Sequence, residues 1–395
     1  MAQTAASSHL SSKARRIRWI DIKENITGYL FILPALIVIG MFGFFPMGYA
    51  FYMSTYNWRV KQGDFIGLDN YLKALGDWGG ALIFAGGFVL LIIAYLLWTG
   101  AFKPAKSWMY TAVRIAAALI LIAGFFAISD GWGKMEATGD VEFLNSLPLT
   151  VFYSLGAVPA EIIIGMVLAY LLFQKIRGKE FFRMLFFLPY ITPSVATAMV
   201  FRSIFSSRET SLANQVIGLF GMEAQKWLFE PRPFIQSFFG IDVQSLNLPT
   251  LLVGPSEALV SITFFGIWTY IGYNTVIFLA GLGAIPHELY EAGEIDGANK
   301  WQLFRHITLP LLSPVTFYLA ITAFIGTFKA FNHIYVMRVP SAQGTADVTS
   351  IFIFDTFYKA NQYGYAAAQA IILLAIILFL TFVQNKVFGE RVFYG

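Results

Sequence analysis

The sequence predicts an all-α protein, a polytopic membrane helical bundle with about eight transmembrane helices. Of its 395 residues, 57% are hydrophobic and only 13% are charged, against about 25% charged in an ordinary soluble domain. The apolar residues also fall in long runs, and about 20 consecutive apolar residues suffice to cross a bilayer as a helix. Lys and Arg are denser in alternate connections between these runs, which the positive-inside rule assigns to the cytoplasm.

The chain opens with a polar, basic stretch at residues 1–27, which we expect to be a cytoplasmic tail. The apolar run at 28–53 is too long for the core of a signal peptide, so it predicts an uncleaved first membrane helix. Pro34 and Pro46 lie inside this run and predict kinks. Residues 28–395 then form one transmembrane domain, with the N- and C-termini both in the cytoplasm.

Two further apolar runs, at about 81–98 and 109–128, predict a helical hairpin spanning 81–128. Its connection is basic and is therefore expected on the cytoplasmic side; the residues concerned are Lys103, Lys106 and Arg114. The next predicted spans, 149–173 and 181–205, are joined by another basic turn. Pro189 and Pro193 lie close together in the second of them and predict a broken helix, which membrane transporters tolerate where the break lines a cavity.

A long extracytoplasmic loop follows at 206–257. Its aromatic residues favour seating at the membrane surface; they are Trp227, Phe229, Phe234, Phe238 and Phe239. Three more apolar runs, at about 258–281, 314–333 and 365–385, complete the eight predicted spans. A second outer loop covers 334–364.

A polar segment at 284–313 lies between two of these spans. Pro286 can open a helix, because the N–H that proline lacks would have no partner in the first turn. Glu288 and Glu291 place negative charge near the positive end of the helix dipole. Gly297 offers a place for the helix to end. The segment therefore predicts a short exposed helix, held between two membrane spans and able to transmit a push into the membrane.

This segment resembles the EAA loop of ABC importer permeases, in particular its sugar-importer form. The resemblance is carried by Glu291-Ala292-Gly293, then Gly297, then Ile307-x-Leu309-Pro310. The string Gly67-Leu68-Asp69-Asn70-Tyr71 also resembles the loop that follows the first helix in sugar permeases. The family usually has Ala at position 293, and Gly lowers helix propensity by roughly 1 kcal/mol, so we expect a softer coupling helix. An ordinary acidic loop helix is the alternative interpretation.

The resemblance implies the fold of a type I ABC importer permease of the maltose and glycerol-phosphate type. It implies a non-catalytic, multi-pass subunit of a bacterial or archaeal plasma (inner) membrane. The implied partners are a second permease subunit in a heterodimer, two ABC ATPase subunits and an extracytoplasmic solute-binding protein, which loop 206–257 is a candidate to contact. The implied ATPase-coupling residues are Glu291, Ala292, Gly293, Asp296 and Gly297. The family core lacks the 81–128 hairpin, which we interpret as an insertion that packs against lipid.

The substrate path is expected on two neighbouring helices. Helical spacing places four residues on one stripe, with polar residues beside it and on the next helix; the set is Gly266, Thr269, Tyr270, Tyr273, Asn274, Thr327 and Asn332. Small and aromatic-polar side chains suit a sugar, and in maltose-type permeases, by resemblance, these two helices line the path. Tight helix packing through small residues is an equally weighted alternative. The asparagine-rich stretch of the family is missing, which leaves the identity of the sugar open.

Several other functions are disfavoured. The chain has no cysteine and its four histidines lack metal-ligand spacing. No G-x-x-x-x-G-K-[ST] string is present, so ATP is expected on partner subunits and no cofactor on this chain. A phospho-polyol substrate would favour Lys or Arg along the stripe. An ion-driven transporter would need a carboxylate relay, whereas only Glu161 lies mid-span, and there we favour an interhelical hydrogen bond over a role in permeation.

Overall fold

The computed structural model describes residues 19–101, 108–174, 177–242, 253–389 and 392, with side chains described from residue 26 onward. All regular secondary structure in these residues is helical, as predicted. Six helices are long and apolar enough to cross a membrane, and two bent helix pairs bring the number to eight. Lys103, Lys106, most of the predicted N-terminal tail and part of loop 206–257 lie outside the described residues.

The first helix, α1, runs from Trp19–Ile39 through a π-helical turn at Gly40–Phe44 into Phe45–Ser54. It begins earlier than predicted, and its described residues up to Tyr52 form a unit separate from the rest of the chain. The window of greatest hydropathy in this helix contains no buried residue. Its apolar surface therefore requires lipid or another protein to cover it.

A short helix, α2 (Asp69–Leu75), leads into the predicted hairpin, whose arms are α3 (Trp78–Ala101) and α4 (Trp108–Thr138). Glycines bring the two arms into contact, since a Cβ on Gly87 would lie 2.9 Å from the Gly124 carbonyl oxygen. The hairpin joins the rest of the bundle at its far end, where a cluster of Trp132, Met135 and Leu144 is buried.

Three helices form the centre of the bundle: α5 (Val141–Phe173), α10 (Glu257–Gly283) and α13 (Ser313–Phe328). Helices α5 and α10 run side by side in the same direction. A Cβ on Gly156 would lie 3.2 Å from Thr263, and one on Gly165 would lie 2.8 Å from the Asn274 Cβ. Small residues therefore set the closest approach of these two helices. The last helix, α16 (Tyr363–Phe388), also lies in the bundle.

The predicted broken helix is present. Helices α6 (Lys179–Ile191) and α7 (Ser194–Ile204) meet at an angle of 95°. Thr192 has extended backbone angles and Pro193 follows it, because a proline disfavours helical geometry in the residue before it. The break thus lies where the sequence predicts it.

The two outer loops fold into one layer of short helices. The first loop supplies α8 (Leu212–Gly218), a 3-10 turn at Trp227–Phe229 and α9 (Phe234–Phe239). The second supplies α14 (Asn332–Met337), a 3-10 turn at Pro340–Ala342, and α15 (Thr349–Phe354), which continues into a π-helical turn at Asp355–Lys359. Both loops contribute to one buried apolar cluster, which includes Leu228, Ile334 and Val348.

The burial of Trp227 corrects the expectation that this residue seats the first outer loop at the membrane surface. Only 6% of Trp227 is exposed, so it is a core residue of the outer layer and does not anchor the chain at the membrane surface. Its indole Nε1 donates to Asn214 at 2.8 Å, and its backbone N–H donates to Glu257 at 2.8 Å. Burial of an indole generally requires such a partner for its N–H.

At the opposite end lies the EAA-like segment. Helix α11 covers His287–Ile295, and α12 begins at Lys300–Leu303, passes through a π-helical turn at Phe304–Thr308 and ends at Leu309–Leu311. Helix α12 then joins α13 across a bend of 59°. The segment is thus continuous, through one bend, with a central membrane helix.

Candidate functional site

A cavity of about 190 Å³ lies in the centre of the bundle, between α5, α6, α10 and α13. It is lined by tyrosines, hydroxyl and amide groups, one carboxylate and small residues: Tyr153, Glu161, Tyr190, Tyr270, Tyr273, Asn274, Thr322, Ala323, Gly326, Thr327 and Ala330. Four of the residues predicted for a substrate path, Tyr270, Tyr273, Asn274 and Thr327, therefore lie together in its wall.

Three of the tyrosines form one aromatic surface. The ring of Tyr190 stacks on Tyr273 with centroids 4.9 Å apart and meets Tyr270 edge-on at 5.9 Å. The break after α6 places Tyr190 there, and the glycine at 272 allows it. A Cβ at Gly272 would overlap the Phe186 carbonyl oxygen, so the α6 backbone lies directly against α10. Tyrosine rings arranged in this way offer flat apolar faces with hydroxyl groups at their edges.

The remaining predicted path residues do not line the cavity. A Cβ on Gly266 would lie 2.5 Å from the Tyr153 hydroxyl, so this glycine makes room for a neighbouring helix. Thr269 donates to the Phe265 carbonyl at 2.9 Å within its own helix, and Asn332 is exposed at the start of α14. The two interpretations of the stripe, helix packing and a substrate path, thus apply to different residues. Gly266 serves helix packing, whereas Tyr270 and Tyr273 line the cavity.

Two buried side chains in the cavity wall each have one polar atom without a hydrogen-bond partner among the described residues. Glu161 is 2% exposed, and its Oε2 accepts no hydrogen bond from any residue that the structure describes. Asn274 is also 2% exposed, and its Nδ2 finds no acceptor among those residues. The expected interhelical hydrogen bond at Glu161 is therefore absent at Oε2. The sequence signal for Glu161 is a carboxylate in the middle of a predicted span. The signal for Tyr190, which the predicted path does not include, is its position beside the first of two close prolines, at the predicted break.

Hydrogen bonds fix the cavity wall to neighbouring helices. Ser154 Oγ and Thr327 Oγ1 lie 2.6 Å apart and join α5 to α13. The Tyr153 hydroxyl lies 2.8 Å from Nε2 of His333 and joins α5 to α14. All four side chains are buried. Buried polar pairs of this kind hold a single arrangement of the helices, since breaking them leaves unsatisfied groups.

The EAA-like segment has the predicted local geometry. Pro286 stands immediately before the first helical residue of α11, and Gly297 follows the helix with a φ of +81°, a conformation that favours glycine. Asn299 and Gln302 then form a capping box that starts α12. The Tyr290 hydroxyl lies 3.0 Å from Thr308 Oγ1 and joins α11 to α12. The two short helices are thus tied into one element.

The surface of α11 is open to a partner. Of the predicted coupling residues, Glu291, Ala292, Asp296 and Gly297 are exposed, and Gly293 is half-buried. A Cβ on Gly293 would lie 2.6 Å from Leu303 Cδ2, so the glycine allows α11 to lie close against α12. Apolar side chains beside the acidic ones are also exposed, among them Ile295 at 86%, Trp301 at 64% and Leu289 at 42%. Such a mixed patch is typical of an interaction surface.

Comparison with known proteins gives a family match and full-length similarities. Residues 161–394 match the family model described as "Binding-protein-dependent transport system inner membrane component". The arabinooligosaccharides transport system permease protein AraP of Bacillus subtilis is 31% identical over 262 residues, which cover 66% of this chain and 76% of AraP. The probable ABC transporter permease protein YesP of the same organism is 27% identical over 396 residues, covering 99% of this chain and 98% of YesP. The latter alignment spans the 81–128 hairpin.

Two further similarities concern another sugar permease and a solved structure. The trehalose/maltose transport system permease protein MalF of Thermococcus litoralis is 29% identical over 246 residues, covering 62% of this chain and 75% of MalF. A chain of the bacterial alginate ABC transporter, solved in complex with alginate pentasaccharide-bound periplasmic protein, superposes with a TM-score of 0.59 at 18% identity. That superposition covers 94% of this chain and 96% of the other, which shows a shared fold.

Proposed function

The chain belongs to the family of binding-protein-dependent transport system inner membrane components, whose model matches residues 161–394, and from this premise we propose that it carries a sugar or oligosaccharide through an ATP-driven importer. It is a multi-pass permease, a non-catalytic membrane subunit of an ABC importer. The energy for transport then comes from ATP hydrolysis on other subunits.

The central cavity is the observation that carries the proposal. A sugar ring presents hydroxyl groups around its edge and apolar C–H faces, and the wall of this cavity offers stacked tyrosine rings together with hydroxyl and amide groups. Its volume of about 190 Å³ is below the roughly 300–1,000 Å³ typical of drug-sized ligands. The cavity therefore suits one sugar ring at a time. Relatives whose names specify arabinooligosaccharides, and trehalose or maltose, support this substrate class.

The contacts of α11 provide a route by which ATP hydrolysis on the partner subunits can move the wall of this cavity. In the proposed importer, two ATPase subunits bind the exposed acidic and apolar face of α11, with Glu291 paired to a basic residue. A movement of α11 is passed to α12 through the Tyr290–Thr308 hydrogen bond and the close contact at Gly293. Helix α12 continues through its bend into α13, which carries Thr327 into the cavity wall. The cavity would thus open and close with the ATPase dimer.

Both chain termini and α11 lie in the cytoplasm, as the distribution of basic residues favours, and the layer of short helices lies outside. A solute-binding protein delivers the sugar to that layer. A second permease subunit completes the path and covers the apolar surface of α1, which needs lipid or another protein against it.

Two other functions fit the cavity less well. A phospho-polyol would require cationic partners, yet no Lys, Arg or His lines the cavity in the part of the chain that the structure describes. An ion-driven transporter would require a relay of carboxylates. Within the described residues, Glu161 is the only carboxylate in the cavity wall, which supports neither a proton relay nor a sodium site of several oxygen ligands.

Co-purification with coupled ATPase activity tests the proposal. The chain is tagged at its own locus and purified from the cells that naturally produce it. We expect ATPase subunits to co-purify, and the binding protein loaded with a neutral saccharide to raise ATP hydrolysis several-fold in nanodiscs. A chain that purifies alone, or a complex whose ATPase activity no saccharide-loaded binding protein changes, would overturn the proposal.

A further inference from the structure

We propose that Gly326 sets the size of the sugar ring that the central cavity admits: the space beside it takes the exocyclic carbon of a six-carbon pyranose unit. A side chain at this position then shifts the preference of the permease to five-carbon pyranose units. The inference rests on the proposed function, because it concerns which sugars the same cavity accepts. It adds a specificity-determining residue that the predicted substrate path does not contain.

The first observation is that α13 contributes small residues to the cavity wall. In the part of the chain that the structure describes, they are Thr322, Ala323, Gly326 and Thr327, with Ala330 just beyond the end of the helix. The tyrosines of the wall come from the other helices, α5, α6 and α10. The width of the cavity beside α13 therefore depends on how little space these small residues occupy.

The second observation is that a side chain at position 326 would enter the cavity. Successive residues of an α-helix are turned by about 100°, so position 326 lies between Thr322 and Ala323 around the helix. Both of these neighbours line the cavity. A Cβ on Gly326 would meet no atom of the described residues within 4 Å. The open space in front of Gly326 is therefore the cavity itself.

Helix packing does not account for this glycine. At five other glycines of the central helices, a Cβ would come within 3.2 Å or less of a neighbouring helix; they are Gly156, Gly165, Gly266, Gly272 and Gly281. Gly326 has no such neighbour among the described residues, and its backbone is helical, with no positive φ. Glycine also stabilises a helix less than alanine does. What the glycine provides at this position is space in the cavity.

The space of one carbon atom separates two classes of sugar unit. A six-carbon pyranose carries a CH₂OH group on C5, where a five-carbon pyranose of the same configuration carries hydrogen. Because the cavity is only about 190 Å³, a methyl group added to its wall competes with that CH₂OH group for space. In a closely fitted pocket, one carbon more or less changes discrimination by about 10–200-fold.

Binding of matched methyl glycosides tests the inference. Affinities for the purified permease–ATPase complex are measured by titration with saturation-transfer-difference NMR, without the binding protein. The probes are methyl β-glucoside against methyl β-xyloside, and methyl β-galactoside against methyl α-L-arabinopyranoside, which differ only in the CH₂OH group. We expect the wild type to bind the six-carbon member of at least one pair as tightly as the five-carbon member, or more tightly.

Gly326→Ala should lower the ratio of six-carbon to five-carbon affinity about tenfold, and the larger side chain of Gly326→Val should lower it further. The unfolding midpoint of Gly326→Ala should equal or exceed that of the wild type, because the added methyl group meets no neighbour and favours the helix. Gly283→Ala makes the same change at an exposed position outside the cavity, where a Cβ also has no atom of the described residues within 4 Å. This control should keep the wild-type ratio.

The outcomes separate the inference from the proposed function. An unchanged ratio in Gly326→Ala, or an equal loss of affinity for both members of a pair, overturns the inference while saccharide binding still supports a sugar permease. A Gly326→Ala complex that fails to assemble or unfolds earlier also overturns it, since this would place a packing partner against Gly326. A wild type that binds only five-carbon glycosides overturns it as well. Failure of the wild-type complex to bind any saccharide overturns both.

Discussion

The Tyr153 hydroxyl lies 2.8 Å from Nε2 of His333, and both residues are buried, with 1% and 8% exposed. The pair joins α5, in the wall of the central cavity, to α14, in the outer layer. His333 also stacks on Phe265 of α10 at 5.0 Å between centroids. The histidine therefore connects one outer helix to two of the three central helices, α5 and α10, and the wall of the cavity is fixed to the layer that would receive the solute-binding protein.

Tyr153→Phe should destabilise the protein by about 1–3 kcal/mol, because it removes the hydrogen bond and leaves the imidazole nitrogen of His333 without its partner. The measurement is the midpoint of thermal unfolding of the purified protein in detergent, followed by a fluorescent reporter of exposed apolar surface. Tyr29→Phe, at a position that is 66% exposed, is the matched control and should leave the midpoint unchanged. Equal midpoints for the two variants would contradict the role of the pair.

Gly272→Ala should disrupt the contact between α6 and α10. A Cβ at this position would overlap the Phe186 carbonyl oxygen, and backbone cannot move aside as the end of a flexible side chain can. Overpacking of this kind costs typically about 1–3 kcal/mol, and here it also displaces Tyr190 from the cavity. We expect a lower unfolding midpoint together with reduced transport.

Gly283→Ala is the control for that experiment. It lies near the end of the same helix, is exposed, and a Cβ there would have no atom within 4 Å. Its stability and transport should match those of the wild type. If Gly272→Ala also left stability and transport unchanged, the close approach of α6 to α10 would be wrong.

Glu291→Lys should abolish transport-coupled ATPase activity while leaving membrane insertion and yield intact. The side chain is 63% exposed on α11 and its one ion pair within the described residues is with the exposed His287, so the reversal of charge has little effect within the chain. The measurement compares the ATPase activity of the assembled complex with and without loaded binding protein. Glu180→Lys, which reverses a 72% exposed charge that has one ion pair on α6, should keep its stimulation. Normal coupling in Glu291→Lys would rule out the proposed contact.

The outer layer should lose stability in acid through Glu230. Hydrogen bonds from the Arg232 guanidinium, at 2.9 and 3.0 Å, lower the pKa of the nearly buried Glu230 carboxyl below its ordinary value of 4.5. A lowered pKa in the folded state stabilises the fold above pH 4.5, and this contribution is lost as the pH falls through the lowered value. Arg232 is half-exposed, so solvent limits the contribution to about 1 kcal/mol or less.

The check is the unfolding midpoint of the wild type and of Glu230→Gln between pH 7 and pH 3. The wild type should have the higher midpoint at neutral pH, and the difference should shrink below pH 4.5. A difference that stays constant over the whole range would show that ionisation of Glu230 is not its origin.

The sequence predicts the ends and breaks of helices in this chain well, because their causes lie within a few residues. Pro286 and Gly297 bound α11 through backbone restrictions that each residue carries with it. Pro189 and Pro193 predict the break after α6 for the same reason. Long apolar runs likewise predict six to eight spans, since the bilayer fixes the length that a helix needs; eight are reached if each bent helix pair is one span.

Contacts between distant segments are less accessible to sequence reasoning. Gly266 and Tyr270 lie on one stripe by helical spacing, yet only Tyr270 lines the cavity, because the Tyr153 side chain of another helix fills the space beside Gly266. Trp227 is of the residue type that often anchors a chain at the membrane surface, but Asn214 and Glu257 supply hydrogen-bond partners that allow its burial. Such partners become visible only once the helices are placed.

The most direct test of the whole account is uptake of a labelled neutral saccharide into proteoliposomes. We expect accumulation to require the assembled importer, loaded binding protein and ATP on the side of the ATPase subunits, and to persist when ionophores remove every ion gradient. Accumulation by this chain alone, driven by a proton or sodium gradient without ATP, would contradict it.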